Sequence, residues 1–277
     1  RCHYDLIFSD NRFGFYSKTA KSIYMTHQRR IAFPKALSSF EPVGQIWHAS
    51  VMKRFDEVWV PDYEEFPGLA GGMSHVKACP KPLKFVGALS RFSDMDLGTP
   101  HSQENAGLLR GGSARRYKFV AVVSGVEPAR SRFENLLRQA FSAIPGEHVI
   151  IQGRPAAGVK TWTEGNVHFY THLPDSQFAS VVRDAEWMVS RGGYSTVMDM
   201  AYLGAKCIFV PTPGQYEQSI LAKSLERSGY ANCISESNLN AHSLLQMVEL
   251  TPSVCIPEPP RESPLGAAVK SALENIG

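Results

Sequence analysis

Residues 187–218 read WMVSRGGYSTVMDMAYLGAKCIFVPTPGQYEQ, and several residue types in this stretch are suited to holding an anion. An apolar run ends at Arg191, Gly192 and Gly193 follow, Ser195 and Thr196 come next, and Asp199 stands a helical turn further on. Glycines let a backbone bend and approach a ligand with no Cβ in the way. The first amides of a helix lack intrahelical partners and lie at its positive end, so a helix capped by Ser195 or Thr196 would open an anion site. The dipole alone contributes about 0.3–1 kcal/mol, so several amides and hydroxyls must converge to hold a phosphate. The same letters also spell plain scaffolding, because Thr196 and Asp199 match a capping box.

Other chemistry-bearing residues follow apolar runs. Ser124, Gly125, Glu127 and Arg130 lie in VVSGVEPAR, His172 and Leu173 in FYTHLPD, and Glu217 and Gln218 after the Pro/Gly turn PTPGQ. Glu217 and Gln218 offer the acceptors and donors that sugar hydroxyls need. Together these loops suit one extended polar ligand, with Arg191 or Arg130 as cations near its anionic part. In the first half, Asp10, Asn11, His27 and Gln28 end apolar runs. Asp10 and His27 are the candidates for taking a proton, with Asn11 and Gln28 beside an acceptor. Asp10-Asn11 reads equally as a turn start.

Several signals are set aside. Asp94-Met-Asp96 looks like a metal-binding DxD but sits in a polar, Gly-rich stretch. His168 and His172 share a strand face without a third ligand, so no metal is expected. GxxxxGK[ST], GxGxxG and GxSxG are all missing, which removes support for kinase-like, dinucleotide-oxidoreductase and hydrolase readings. Arg110, Arg115, Arg116 and Lys118 form a small basic patch, read as a solvated face within reach of lipid headgroups.

These loops need rigid elements behind them. YDLIFSD, SIYMTHQ, DEVWVP and KFVGALS read as buried strands, with an amphipathic helix from about Val43 to Arg54 among them. Residues 93–117 are polar and aperiodic, as in a linker. Beyond them, apolar runs starting near 119, 148, 167, 187, 206 and 230 alternate with helix-like stretches such as RFENLLRQAF, SQFASVVRDA and QSILAKSLERSG. Near-continuous apolar strands alternating with helices predict an α/β fold with a parallel, doubly wound sheet. The expected division is 1–92, a linker 93–117, 118–250, and a Pro-rich connector with a short helix over 251–277.

A chain of 277 residues with 43% hydrophobic content is long enough for sizeable cores. Its net charge of +3 is too modest to demand nucleic acid. Five scattered cysteines without a CxxC pair fit a reducing compartment, so a cytoplasmic protein is expected. No run approaches the roughly 18 apolar residues of a spanning helix. The chain opens RCHYDLIFSD and enters a strand-like run almost at once, which reads as a first domain incomplete at its start.

SRGGYSTVMDMAYLGAKCIFVPTPGQYEQSILAKSLERSGYA resembles the C-terminal domain of glycosyltransferase family 28. A looser resemblance runs through SIYMTHQ, FDEVWVPDYEE, LAGGMSH and LKFVGALSRF, so it covers most of residues 4–235. The resemblance implies a GT-B fold, two Rossmann-like domains facing across a cleft. It implies an inverting transferase that uses a nucleoside diphosphate sugar, with uridine diphosphate (UDP) expected, and neither metal nor cofactor. The acceptor would be a hydroxyl, lipid-linked in some members, which would bring the protein to the inner face of a membrane. By position, Gly192, Gly193, Ser195 and Thr196 would face the diphosphate. Asp199 would accept from the ribose hydroxyls, where the family often has Glu. Backbone near His172 and Leu173 would read the base. Glu217 and Gln218 would hold sugar hydroxyls, where peptidoglycan-building members carry amides at both places.

Two alternatives stay open on the residues alone. One is a nucleotide-sugar hydrolase or epimerase on the same fold; the other is a non-catalytic nucleotide-sugar-binding module.

Overall fold

The structure, a computed structural model, describes residues 4–31, 33–95, 116–250, 256–260 and 264–274. Asp96, Arg110, Arg115 and most of the expected linker lie outside the described residues. The chain divides into two compact units, Arg1–Leu89 with Pro259–Gly277, and Ser90–Glu258.

The first unit holds a four-stranded parallel sheet in the order β1-β2-β3-β4. Its strands are β1 (Leu6–Asp10), β2 (Lys21–Met25), β3 (Glu57–Val60) and β4 (Leu83–Phe85), with helix α1 (Glu41–Met52) between β2 and β3. Neighbouring residues in a strand point to opposite faces. Tyr24 and Val58 therefore pack with Val51, Met52 and Phe55 on the α1 side. Ile23 and Trp59 pack on the other side with Val86, Ala268 and Ala272. The last two belong to α7 (Pro264–Glu274), so the chain's final described helix closes the first unit.

The second unit is built on a seven-stranded sheet, β11-β10-β9-β5-β6-β8-β7. In chain order its elements are β5 (Tyr117–Val122), α2 (Ala129–Ser142), β6 (His148–Ile151), β7 (Thr161–Glu164), β8 (Val167–Tyr170), α3 (Asp175–Arg183), β9 (Ala185–Ser190), α4 (Tyr194–Leu203), β10 (Cys207–Phe209), α5 (Tyr216–Arg227), β11 (Asn232–Cys233) and α6 (Ala241–Leu250). All pairings are parallel except β7 with β8. Strand β7 escapes the apolar-run reading because TWTE has one apolar residue, Trp162, which stacks on Phe169 at 5.0 Å. From β5 the chain steps outward through β6 and β8, then α3 returns it to β9 on the other flank of β5. The switch point therefore lies between the carboxyl ends of β5 and β9, where open α/β sheets bind ligands.

Candidate functional site

Helix α4 starts at Tyr194, with Gly193 as its N-cap and no capping side chain. The expectation that Ser195 or Thr196 caps it is corrected: both lie inside the first turn, closed by Val197 N–H donating to Gly193 O at 3.1 Å. The capping box therefore does not form, and Asp199 turns elsewhere. The tight-bend reading of the glycines is corrected too. Gly193 has φ −75° and ψ 142°, which any residue adopts, and neither glycine is among the positive-φ positions. A Cβ on Gly193 would meet only Thr196 Oγ1, at 3.8 Å. What the glycine preserves is open approach to the first-turn amides, with the Ser195 hydroxyl exposed beside them.

Gly192 is buried, and a Cβ there would lie 3.5 Å from Gln218 O and 3.7 Å from Phe209 Cβ. The first turn of α5 thus abuts the glycine pair. Gln218 Oε1 accepts from Thr212 N–H at 2.9 Å, and its Nε2 donates to Gln215 Oε1. Gln218 therefore shapes the 212–215 turn, while Glu217 stands exposed in the same helical turn. A cavity of about 840 Å³ opens one strand over, between α2 and α5 above the ends of β10 and β11, and not at the glycine pair.

Arg191 does not face a ligand. Its Nη1 donates to Val210 O at 3.1 Å, and its Nη2 to Ala129 O at 3.2 Å and Glu236 Oε2 at 2.5 Å. Its guanidinium lies over the Phe133 ring. Burial lowers its pKa, against which the Glu236 carboxylate holds the proton on. Arg191 is a buried tie between β9, β10 and α2, and its expected role at a diphosphate is withdrawn. Arg130 is also buried and directs its Nη2 to Gln152 O and its Nη1 to Glu127 Oε1. Across the switch point, Ser124 and Gly125 are exposed at the end of β5, and Gly125 has φ +107°, a conformation that favours glycine.

Asp199 meets the residues that open the second unit. Ser90 Oγ donates to Asp199 Oδ1 at 2.6 Å, and Arg91 Nε lies 3.5 Å from Oδ2. Arg91 Nη1 also pairs with Asp175 Oδ1 at 2.8 Å, at the head of α3. Its guanidinium covers the faces of Phe92 and Phe178. Burial raises the Asp199 pKa and Asp175 adds to that, while the Ser90 hydroxyl and Arg91 oppose it. His172, half-buried, and Leu173, buried, immediately precede α3. Arg91 thus ties the head of α3 to α4. Sequence reasoning assigned Ser90 and Arg91 no role, because their partners are distant in the chain.

In the first unit, Asp10 is exposed at the end of β1, and His27 and Gln28 are half-buried just past β2. Since β1 and β2 pair in parallel, these residues share one sheet end. Asn11 has φ +52° and its Oδ1 accepts from Tyr24 OH at 3.0 Å and Thr26 Oγ1 at 3.2 Å. Asp94 lies in an exposed turn, and among the described residues no three His, Cys, Asp or Glu gather as metal ligands. Nor is any described helix long and apolar enough to cross a membrane.

Residues 109–253, just over half of the chain, match the model of the glycosyltransferase family 28 C-terminal domain. The chain is 31% identical over 177 residues to the UDP-N-acetylglucosamine--N-acetylmuramyl-(pentapeptide) pyrophosphoryl-undecaprenol N-acetylglucosamine transferase of Chelativorans sp. (strain BNC1). That match covers 57% of this chain and 44% of the relative, so the chain spans less than half of the relative's length. The Bartonella tribocorum protein of the same name is 29% identical over 148 residues, 50% of this chain and 39% of that one. Among solved structures, the glycotransferase of kitacinnamycin superposes with TM-score 0.57 at 17% identity, covering 99% of this chain and 72% of the other. The calicheamicin glycosyltransferase CalG4 gives 0.52 at 16% identity, over 98% and 69%. At such identities the likeness concerns the fold, which is Rossmann-like and of the GT-B type.

Proposed function

The chain belongs to glycosyltransferase family 28, and from that premise we propose that it moves a sugar from a UDP donor to a hydroxyl acceptor, a lipid-linked one by analogy with the relatives named above. The observation that carries this reading is the start of α4 at the sheet's switch point, with no capping side chain and only Thr196 Oγ1, at 3.8 Å, near a Cβ placed on Gly193. The donor diphosphate lies against the amides and hydroxyls of Ser195 and Thr196, with Ser124 and Gly125 opposite. Asp199 accepts from the ribose hydroxyls, and backbone near His172 and Leu173 reads the base. Glu217 accepts from sugar hydroxyls; Gln218 serves mainly to hold the neighbouring turn.

The reaction is one in-line displacement with inversion. The acceptor oxygen bonds to the anomeric carbon, the bond to the diphosphate breaks, and the acceptor proton passes to Asp10 or His27, with Asn11 and Gln28 beside the acceptor. The α4 amides carry the leaving charge, so this reading needs no metal. Exposed Leu37, Phe40, Val43 and Trp47 line an apolar groove of about 640 Å³ in the first unit, which supports peripheral contact at the inner face of a membrane.

Calorimetry with UDP, followed by UDP release from a panel of UDP-sugars, tests the reading. UDP is expected to bind, and Gly193→Val to weaken it by about tenfold or more through lost amide contacts, with little change in melting temperature. Equal UDP affinity in both proteins would count against the site. Turnover of the donor in water alone would favour a hydrolase or epimerase instead.

A further inference from the structure

The residues that open the second unit close on the carboxylate assigned to the ribose. Ser90 Oγ donates to Asp199 Oδ1 at 2.6 Å while accepting from Phe92 N–H at 3.1 Å, so the direction of its proton is settled. Arg91 is held at three points: Asp175 Oδ1 at 2.8 Å, Asp199 Oδ2 at 3.5 Å, and the Phe92 and Phe178 rings, themselves stacked 5.7 Å apart. An ionised carboxylate has about four lone-pair sites. Ser90 and Arg91 approach different oxygens, which leaves acceptor capacity on each, and the Asp199 side chain is still 19% exposed. Two vicinal hydroxyls, one to each oxygen, are the group that such a carboxylate suits. An aspartate pinned at both oxygens is also less free to follow a ligand that has lost one hydroxyl.

We infer that Ser90 and Arg91 are positioning residues that aim Asp199 at a vicinal diol, and that this clamp makes the site select ribonucleotides over 2′-deoxyribonucleotides. The inference rests on the donor reading above and deepens it. The segment just past Leu89, where the first unit ends, thereby becomes part of nucleoside recognition. The charged groups facing Asp199 are Arg91 from this segment and Asp175 from α3; burial and Asp175 favour the protonated acid, whereas Ser90 and Arg91 favour the carboxylate.

The test compares UDP with 2′-deoxy-UDP by calorimetry in wild type, Ser90→Ala, Ser90→Thr and Arg91→Gln. Arg138→Gln, which removes an exposed pair with Glu164 elsewhere in the unit, is the control. Wild type should prefer UDP by on the order of tenfold to a hundredfold, the range of a hydrogen bond to a charged group. Ser90→Ala and Arg91→Gln should each shrink that preference severalfold by weakening UDP, while Ser90→Thr, which keeps the hydroxyl, and Arg138→Gln retain it. An NMR titration of the Asp199 carboxyl in ligand-free protein should move upward in Ser90→Ala and Arg91→Gln. A preference unchanged in both variants, UDP bound more tightly by Ser90→Ala, or an unmoved titration would overturn the clamp while leaving the donor reading intact. Failure of wild type to bind either nucleotide would overturn the donor reading and the clamp with it.

Discussion

At the scale of single residues, position in the sequence and position in space part company at Arg191. It stands directly before the glycine pair, yet its guanidinium points into the protein and donates to the Val210, Pro211 and Ala129 carbonyls and to Glu236. Removing one partner of a buried ion pair leaves the other uncompensated. Arg191→Ala should therefore cost about 3 kcal/mol, the low end for such a loss because Arg132 still covers Glu236 Oε1 at 2.5 Å. Urea unfolding of the variant measures this. A fall in activity without a fall in stability would mean that Arg191 reaches the ligand after all. Cys233 makes a milder case: burial, and Glu226 beside it, push its thiol up to about 11, so it should be slow toward alkylating reagents near neutral pH.

At the scale of elements, charges align the strand starts of the first sheet. Glu57 on β3 meets Lys21 on β2 at 2.8 Å and Lys84 on β4 at 3.1 Å. Burial works against its ionisation, but hydrogen bonds from Lys21, Trp59 and Lys84 prevail and hold Glu57 at about 2, below its ordinary 4.5. A depressed folded-state pKa stabilises above the unfolded value and loses that contribution as pH falls through the folded one. Stability should thus drop between about 4.5 and about 2 from this group. Glu57→Gln should remove that part of the acid limb and lower stability near neutral pH by roughly 1–3 kcal/mol. Denaturant titrations over that pH range check it, and an identical acid limb in the variant would contradict the account. In the second unit, the periodicity of α4 was legible, but its first residue was not. Ser and Thr are favoured caps, and they drew the expected start inward; the extended backbone at Gly193 begins the helix earlier.

At the scale of the molecule, the chain leaves the first unit at Leu89 and returns to it with α7. Ala268 and Ala272 are buried against Ile23, Trp59 and Val86, where small residues let the helix come close to the sheet. Ala272→Glu would force a carboxylate into that contact, at a cost on the order of 3 kcal/mol or more. Scanning calorimetry should show one transition lowered, while UDP affinity stays near wild type, because every donor-side residue lies between Ser90 and Glu258. Loss of UDP binding in the folded variant would show that the donor site depends on the first unit.

The alternation of apolar strands and amphipathic helices, the loops at the strand ends and the family likeness were all readable in the chain. Each is carried by residues near one another in sequence, and backbone periodicity makes such patterns local. Strand β7, the return of α7, the withdrawal of Arg191 and the closing of Ser90 and Arg91 on Asp199 were decided only in three dimensions. Each depends on a partner far along the chain: Ser90 and Asp199 are 109 residues apart and meet at 2.6 Å. Sequence spacing shows which side chains have the chemistry to bind a ligand, but only packing determines which of them the protein has already engaged for itself.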